Sequence, residues 1–192
     1  MDKTNSKPIT QEEYLATERI ALEKHEFFEG QIFEMSPKSY VHTIILGNVT
    51  YLIHTQLKKT VYRVYGSMMR LHIPENTLFT YPDAAIYKGK MQTIDEENDN
   101  ALYPIIIFEI TSNDSREYDR NCKFDLYKDI ETLKEYILID SEKVGIEKFA
   151  RNADNTWLLT EYKTIESIFE IPSIGVNLSL SDIYEDVKFE KL

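Results

Sequence analysis

The chain carries a single cysteine, Cys122, with only six glycines and six prolines among its 192 residues. With one thiol no intrachain disulfide can form, so the fold must rest on an ordinary packed core, and a reducing cytoplasm is the expected home. So few glycines leave no Gly-rich phosphate loop. No apolar run approaches the roughly 18 residues that a membrane span needs, and the opening residues MDKTNSK lack the apolar stretch of a secretory signal. The spacing of His and Cys suggests no zinc site. Basic side chains are also scarce: 22 Lys and Arg stand against 33 Asp and Glu, for a net charge of −11. That balance excludes a protein that coats nucleic acid through counterion release alone.

What is present is a core. With 42% hydrophobic and 12% aromatic residues, one domain over 1–192 is expected, with 1–9 a flexible N-terminus and 181–192 a peripheral, acidic C-terminal tail of short helical pattern. The charge is uneven. Residues 36–80 hold five bases (Lys38, Lys58, Lys59, Arg63, Arg70) and one acid, Glu75, a local +4 on a chain otherwise at −15. Either a basic face results, or Lys58 and Lys59 merely favour a helix C-terminus.

Thr10 followed by Glu13 has the form of a capping box and predicts a helix over 11–23. A hairpin turning at Glu29-Gly30 comes next. In residues 40–57 the apolar positions Val41, Ile44, Ile45, Val49, Leu52 and Ile53 fall at helical spacing. Strands are expected at 60–73, 84–87, 105–110, 136–139, 144–149 and 157–162, with a turn at 152–155. Residues 115–130 read as a helix with Cys122 on its apolar side as a buried thiol. The expected architecture is α/β, a mixed sheet flanked by helices.

Two acids break this apolar pattern. Asp83 lies in YPDAAI and Glu109 in PIIIFEIT, each beside a β-like run where an ionised carboxylate is costly unless a proton, a cation or hydrogen bonds compensate it. A polar loop over 88–103 would join their two strands and bring the acids together. Two carboxylates and a backbone carbonyl form a hard oxygen site suited to Mg²⁺ or Mn²⁺, and an ion there would polarise a phosphodiester and activate water. Lys123 is the candidate lysine, four residues after Asp119 and four before Tyr127. The plain alternative is a surface Asp119–Lys123 pair. For His42, likewise, an approach to phosphate stands against a packed or solvated helical histidine.

The chain resembles a known family in five ordered stretches: EFFEGQI at 26–32 with MSP at 35–37 and His42; Pro82-Asp83; FEITS at 108–112; DRNCK at 119–123 with Tyr127; and EYILID at 135–140. Over about 10–180 it is similar to the Uma2 family of endonucleases, a branch of the PD-(D/E)XK restriction-endonuclease-like superfamily. The resemblance implies a restriction-endonuclease-like core with Asp83, Glu109 and Lys123 as the catalytic set. Asp83, Glu109 and the Ile110 carbonyl would hold Mg²⁺ or Mn²⁺. The superfamily lysine two residues beyond the second acid is Thr111 here, and the Uma2-like pattern supplies Lys123 instead. Glu26 matches a family acid, and His42, Asp119, Arg120 and Tyr127 are the further supporting candidates. Departures at 112–115 and 132–133 concern the loop over the site rather than the three catalytic groups. The implied function is metal-dependent cleavage of DNA by a homodimer. A non-catalytic interaction module that keeps the fold, and a nuclease acting on RNA or structured DNA, are the rivals.

Overall fold

The computed structural model describes residues 7–189. Most of the flexible stretch expected at 1–9, and the last three residues of the tail expected at 181–192, lie outside the described residues. Helix α1 (Gln11–Glu18) opens on the anticipated capping box, with Thr10 Oγ1 accepting from Glu13 N and Glu13 Oε2 accepting from Thr10 N. It stops five residues before the expected end at 23. Glu18 turns inward to accept from His25 N and from the Tyr81 hydroxyl, both at 2.9 Å, while Arg19 swings outward to Asp95 and Asp99. Strands β1 (His25–Phe28) and β2 (Gln31–Glu34) form the hairpin, and Glu29 and Gly30 both take positive φ, 48° and 78°. That pair gives the turn the twist an antiparallel hairpin favours.

Helix α2 (Tyr40–Leu57) matches the expected boundaries and is capped by Ser39, which accepts from His42 N. The single strand expected at 60–73 is instead two, β3 (Tyr62–Gly66) and β4 (Arg70–Ile73), which enter different sheets after a turn at Gly66. Strands β5 (Leu78–Thr80), β7 (Gln92–Thr93) and β8 (Asn100–Leu102) were not anticipated; with β1, β2 and β4 they complete a six-stranded sheet in the order β2-β1-β5-β4-β8-β7.

The central sheet holds the long strands. It contains β6 (Ala84–Lys88), β9 (Ile106–Thr111), β10 (Glu135–Asp140), β11 (Ile146–Arg151) and β12 (Trp157–Tyr162), in the order β12-β11-β10-β9-β6-β3. Its one parallel pair is β9 with β10, and the others are antiparallel, so the expected mixed sheet is what forms. The parallel pair needs a crossover. Residues 112–134 supply it through α3 (Arg116–Tyr118), a π-helical turn (Asp119–Lys123) and α4 (Phe124–Tyr127).

Alternation along β9 divides the core. Ile106, Phe108 and Ile110 pack with Ile45, Val49 and Ile53 of α2, whereas Ile107 packs with Phe124 and Tyr127 of the crossover and with Leu71 and Leu78 of the other sheet. A hairpin of β13 (Ile168–Ile171) and β14 (Val176–Ser179), followed by α5 (Leu180–Ile183), closes the α2 side. Within the expected tail Ile183 and Tyr184 are buried, and the Tyr184 hydroxyl donates to the Asp140 carbonyl, while Ser181, Asp182, Glu185, Asp186 and Lys188 are exposed. Among the described residues no helix is long and apolar enough to cross a membrane.

Ile106 is fully buried at the middle of both clusters' shared sheet, whereas Leu158 on edge strand β12 is 58% exposed. Ile106→Ala is expected to lower unfolding free energy by about 2–5 kcal/mol, and Leu158→Ala by less than about 0.5 kcal/mol, as measured by urea denaturation.

Candidate active site

Asp83 precedes β6 and Glu109 sits in β9, and the antiparallel pairing of these strands, with Ala84 opposite Phe108, brings the two acids together at one end of the central sheet. Both are buried, at 1% and 2% exposure. Asp83 Oδ2 accepts from Ile110 N at 2.7 Å, and Asp83 N lies 3.4 Å from Glu109 Oε2. A strand residue directs its N–H and C=O to the same side. The Ile110 carbonyl therefore leaves β9 toward Asp83, where β6 has already ended.

Lys123 reaches the acids from the π-helical turn. Its Nζ lies 3.0 Å from Glu109 Oε1 and 3.0 Å from Glu26 Oε1, which arrives from β1 in the other sheet. The Tyr127 hydroxyl donates to Glu109 Oε1 at 2.8 Å. Glu26 further accepts from Thr80 Oγ1 and, at 3.3 Å, from the Tyr118 hydroxyl. Lys123 is thus a buried cation between two carboxylates, not the partner of Asp119 on a surface. π-Turns of this kind are frequent at functional sites.

On the other side of Asp83 stands α2. His42 Nε2 comes within 2.9 Å of Asp83 Oδ1, and Lys38 Nζ within 3.3 Å. Neither approach has hydrogen-bond geometry, so Asp83 Oδ1 is a buried carboxylate oxygen with no hydrogen-bond donor, and both ring nitrogens of His42 are likewise unpaired.

The two acids are driven apart in proton affinity. Burial pushes the Glu109 carboxyl up to about 7, with Asp83 and Asp119 raising it further and Lys123 drawing it down. Burial also works against ionised Asp83, but His42, Lys38 and the Ile110 N–H outweigh it and hold its pKa below the usual range. For Lys123 burial opposes the charge, yet Glu109 and the surrounding groups overcome it and keep the ammonium protonated.

Of the sequence candidates, Asp83, Glu109, Lys123, Glu26, His42 and Tyr127 converge here, together with the Ile110 backbone. Asp119 is buried nearby, and its carbonyl accepts from the Tyr136 hydroxyl. Arg120 points away to Glu147 at 2.6 Å and lies over the Phe149 ring. Cys122 is exposed, contrary to expectation, because the inward face of the crossover is the one carrying Asp119, Lys123 and Tyr127. Lys38, Thr80 and Tyr118 were missed as site residues. No local pattern marks them, because what places them is their position across the two sheets and the crossover.

The mixed sheet flanked by helices is a restriction-endonuclease-like fold. The solved structure described as a "putative nuclease belonging to DUF820" from Anabaena variabilis matches with a TM-score of 0.76, covering 92% of this chain and 98% of that one, at 19% identity. The Uma2 family model, described as "putative restriction endonuclease", matches residues 11–181, and the chain belongs to this family. Two proteins of Synechocystis sp. are similar to it: uncharacterized protein sll1609, 33% identical over 81% of this chain and 88% of its own length, and uncharacterized protein slr1290, 30% identical over 94% of each.

Two predictions follow from the charges. Lys123→Met leaves Glu26 and Glu109 without their shared cation and is expected to cost about 3–5 kcal/mol at pH 8, with a smaller loss at pH 5, where Glu109 takes a proton; chemical denaturation at both pH values checks it. The folded Glu109 pKa near 7 lies above its ordinary value of 4.5, so its contribution to stability is complete below about 4.5 and lost as pH rises through 7. Relative to Glu109→Gln, the metal-free wild type should therefore lose thermal stability between pH 5 and pH 8. A difference in melting temperature that stays constant across that range would refute the assignment.

Proposed function

We propose that the protein is a metal-dependent endonuclease that hydrolyses DNA phosphodiester bonds at Asp83, Glu109 and Lys123. The observation that carries this reading is the buried acid pair, in which Asp83 Oδ1 has His42 and Lys38 as neighbours but no hydrogen-bond donor, beside a lysine held between two carboxylates. Family membership supports the nuclease class.

The donor set fits a hard divalent ion. Among the described residues no three His, Cys, Asp or Glu side chains form a ready ligand group, so the shell would consist of Asp83, Glu109, the Ile110 carbonyl and water. Mg²⁺ and Mn²⁺ accept such oxygen-rich, partly hydrated shells. When bound, the ion supplies a Lewis acid for the phosphoryl oxygen and lowers the pKa of the attacking water.

The chain's own groups do the rest. Asp83, kept ionised by His42, Lys38 and the Ile110 N–H, and Glu109, once it loses its proton, provide the negative charge that draws a cation in. Lys123 stays protonated, so its part is to stabilise negative charge building on the phosphate oxygens rather than to take a proton from water. Glu26, Thr80 and Tyr118 fix one end of the lysine's ion pairing, and Tyr127 fixes the Glu109 carboxyl. One cluster cuts one strand, so a double-strand break would use two copies as a homodimer.

The test is calorimetric titration of Mg²⁺ and Mn²⁺ into wild type, Asp83→Ala and Glu109→Ala, followed by plasmid nicking. Loss of metal binding in both variants and a fall in nicking of at least about 100-fold are expected. Metal-stimulated nicking that survives both substitutions would sink the proposal. Metal binding with no cleavage of any single- or double-stranded DNA or RNA would favour an interaction module instead, and cleavage of RNA alone would change the substrate class.

A further inference from the structure

Asp83 Oδ1 is in contact with two nitrogen groups yet hydrogen-bonded to neither. One of them, His42, is buried at the start of α2 and fixed by its helix. The other is Lys38, whose side chain is 42% exposed and which lies in the irregular stretch just before the Ser39 cap. The contrast with Lys123 is sharp. Lys123 is locked between two carboxylates inside the protein, whereas Lys38 rests on a single oxygen, with no hydrogen bond, at the end of a long stem that reaches in from solvent.

From this placement the geometry points to Lys38 as a displaceable counter-ion: it neutralises Asp83 while the site is empty and is released to a substrate phosphate when a divalent cation enters. The inference rests on the metal site proposed above. A dication bound to Asp83 and an ammonium resting on the same carboxylate repel each other, and the half-exposed, unanchored group is the one free to leave. Its release leaves it at the mouth of the site beside the N-terminus of α2, an 18-residue helix whose positive end favours anions. Lys24 stands at the same mouth. Its Nζ donates to the Ser67 carbonyl at 2.5 Å and lies over the Tyr81 ring, and its charge interacts with both Asp83 and Lys38. On a chain of net charge −11, these two lysines give the entrance a local positive field that metal entry would strengthen by freeing one of them.

This arrangement couples two ligands. The metal and the DNA phosphate would each favour the Lys38 position that the other needs, so their binding is cooperative by linkage.

Lys38→Met separates the effects, because the half-exposed loop position can lose its charge without opening the core. Calorimetry should show Mn²⁺ binding the variant about fivefold more tightly than wild type, since its competitor is gone. Affinity for a short DNA duplex in EDTA should stay within about twofold of wild type, because Lys38 is then engaged with Asp83. In Ca²⁺ the variant should bind the duplex about fivefold more weakly, with a salt dependence shallower by about one phosphate contact. Unchanged Mn²⁺ affinity in Lys38→Met, alongside its loss in Asp83→Ala, would overturn the counter-ion role and leave the metal site standing. Equal weakening of DNA binding in EDTA and in Ca²⁺ would also overturn it, making Lys38 an ordinary surface charge. Wild-type metal affinity in Asp83→Ala would instead overturn the site on which the inference rests.

Discussion

The rest of the molecule depends on the ammonium of Lys123 lying between Glu26 and Glu109. Taking an ammonium and its carboxylate partners out of water is expensive, and the attraction among them compensates only when the geometry is good and the remaining lone pairs are satisfied. Here Thr80 and Tyr118 complete Glu26, while Tyr127 completes Glu109. Because Glu26 belongs to one sheet, Glu109 to the other and Lys123 to the crossover between β9 and β10, this ion triad fixes how three layers meet. A shift of either sheet by one residue would turn an acid away and leave the lysine buried and unpaired.

The same crowding sets the proton balance. Two carboxylates this close and this dry do not both favour ionisation. Asp83 takes the charge, helped by His42, Lys38 and the Ile110 N–H, and Glu109 holds its proton to near neutrality. The pair is therefore unsymmetrical before any ligand arrives, and the difference comes from what surrounds each acid, not from the acids themselves.

Local signals carried much of this arrangement. Helix α2 was readable to the residue because six apolar positions share one face, and the first hairpin was readable because Glu29-Gly30 is a strong two-residue turn. Asp83 and Glu109 were readable because a charge beside an apolar strand demands a reason. Lys123 was only half readable from the residues: its spacing from Asp119 and Tyr127 made it the candidate lysine but equally fitted a surface pair, and the family resemblance was needed to choose between them. Its true partners lie 97 and 14 residues away in the chain, at Glu26 and Glu109. The second sheet escaped notice for a related reason. Strands β5, β7 and β8 are two or three residues long, too short for alternation to show; β5 is held by β1 and β4, β8 by β4, and β7 by β8 alone. The burial of Lys123 also explains the exposed Cys122, since the inward face of the crossover follows the site instead of the apolar residues.

The crossover between the parallel strands β9 and β10 has a kinetic side. Parallel pairing waits on closure of the intervening segment, and contacts across large sequence separations form slowly because chain entropy is lost before they form. Glu26 can meet Lys123 only after the early hairpin, the central strands and the crossover have all docked. Asp83 and Glu109 are 26 residues apart and Glu109 and Lys123 only 14, so Glu26, 97 residues from Lys123, makes the longest-range contact of the cluster. The early hairpin therefore closes the site from the far end of the chain, and its docking gives Lys123 its second carboxylate.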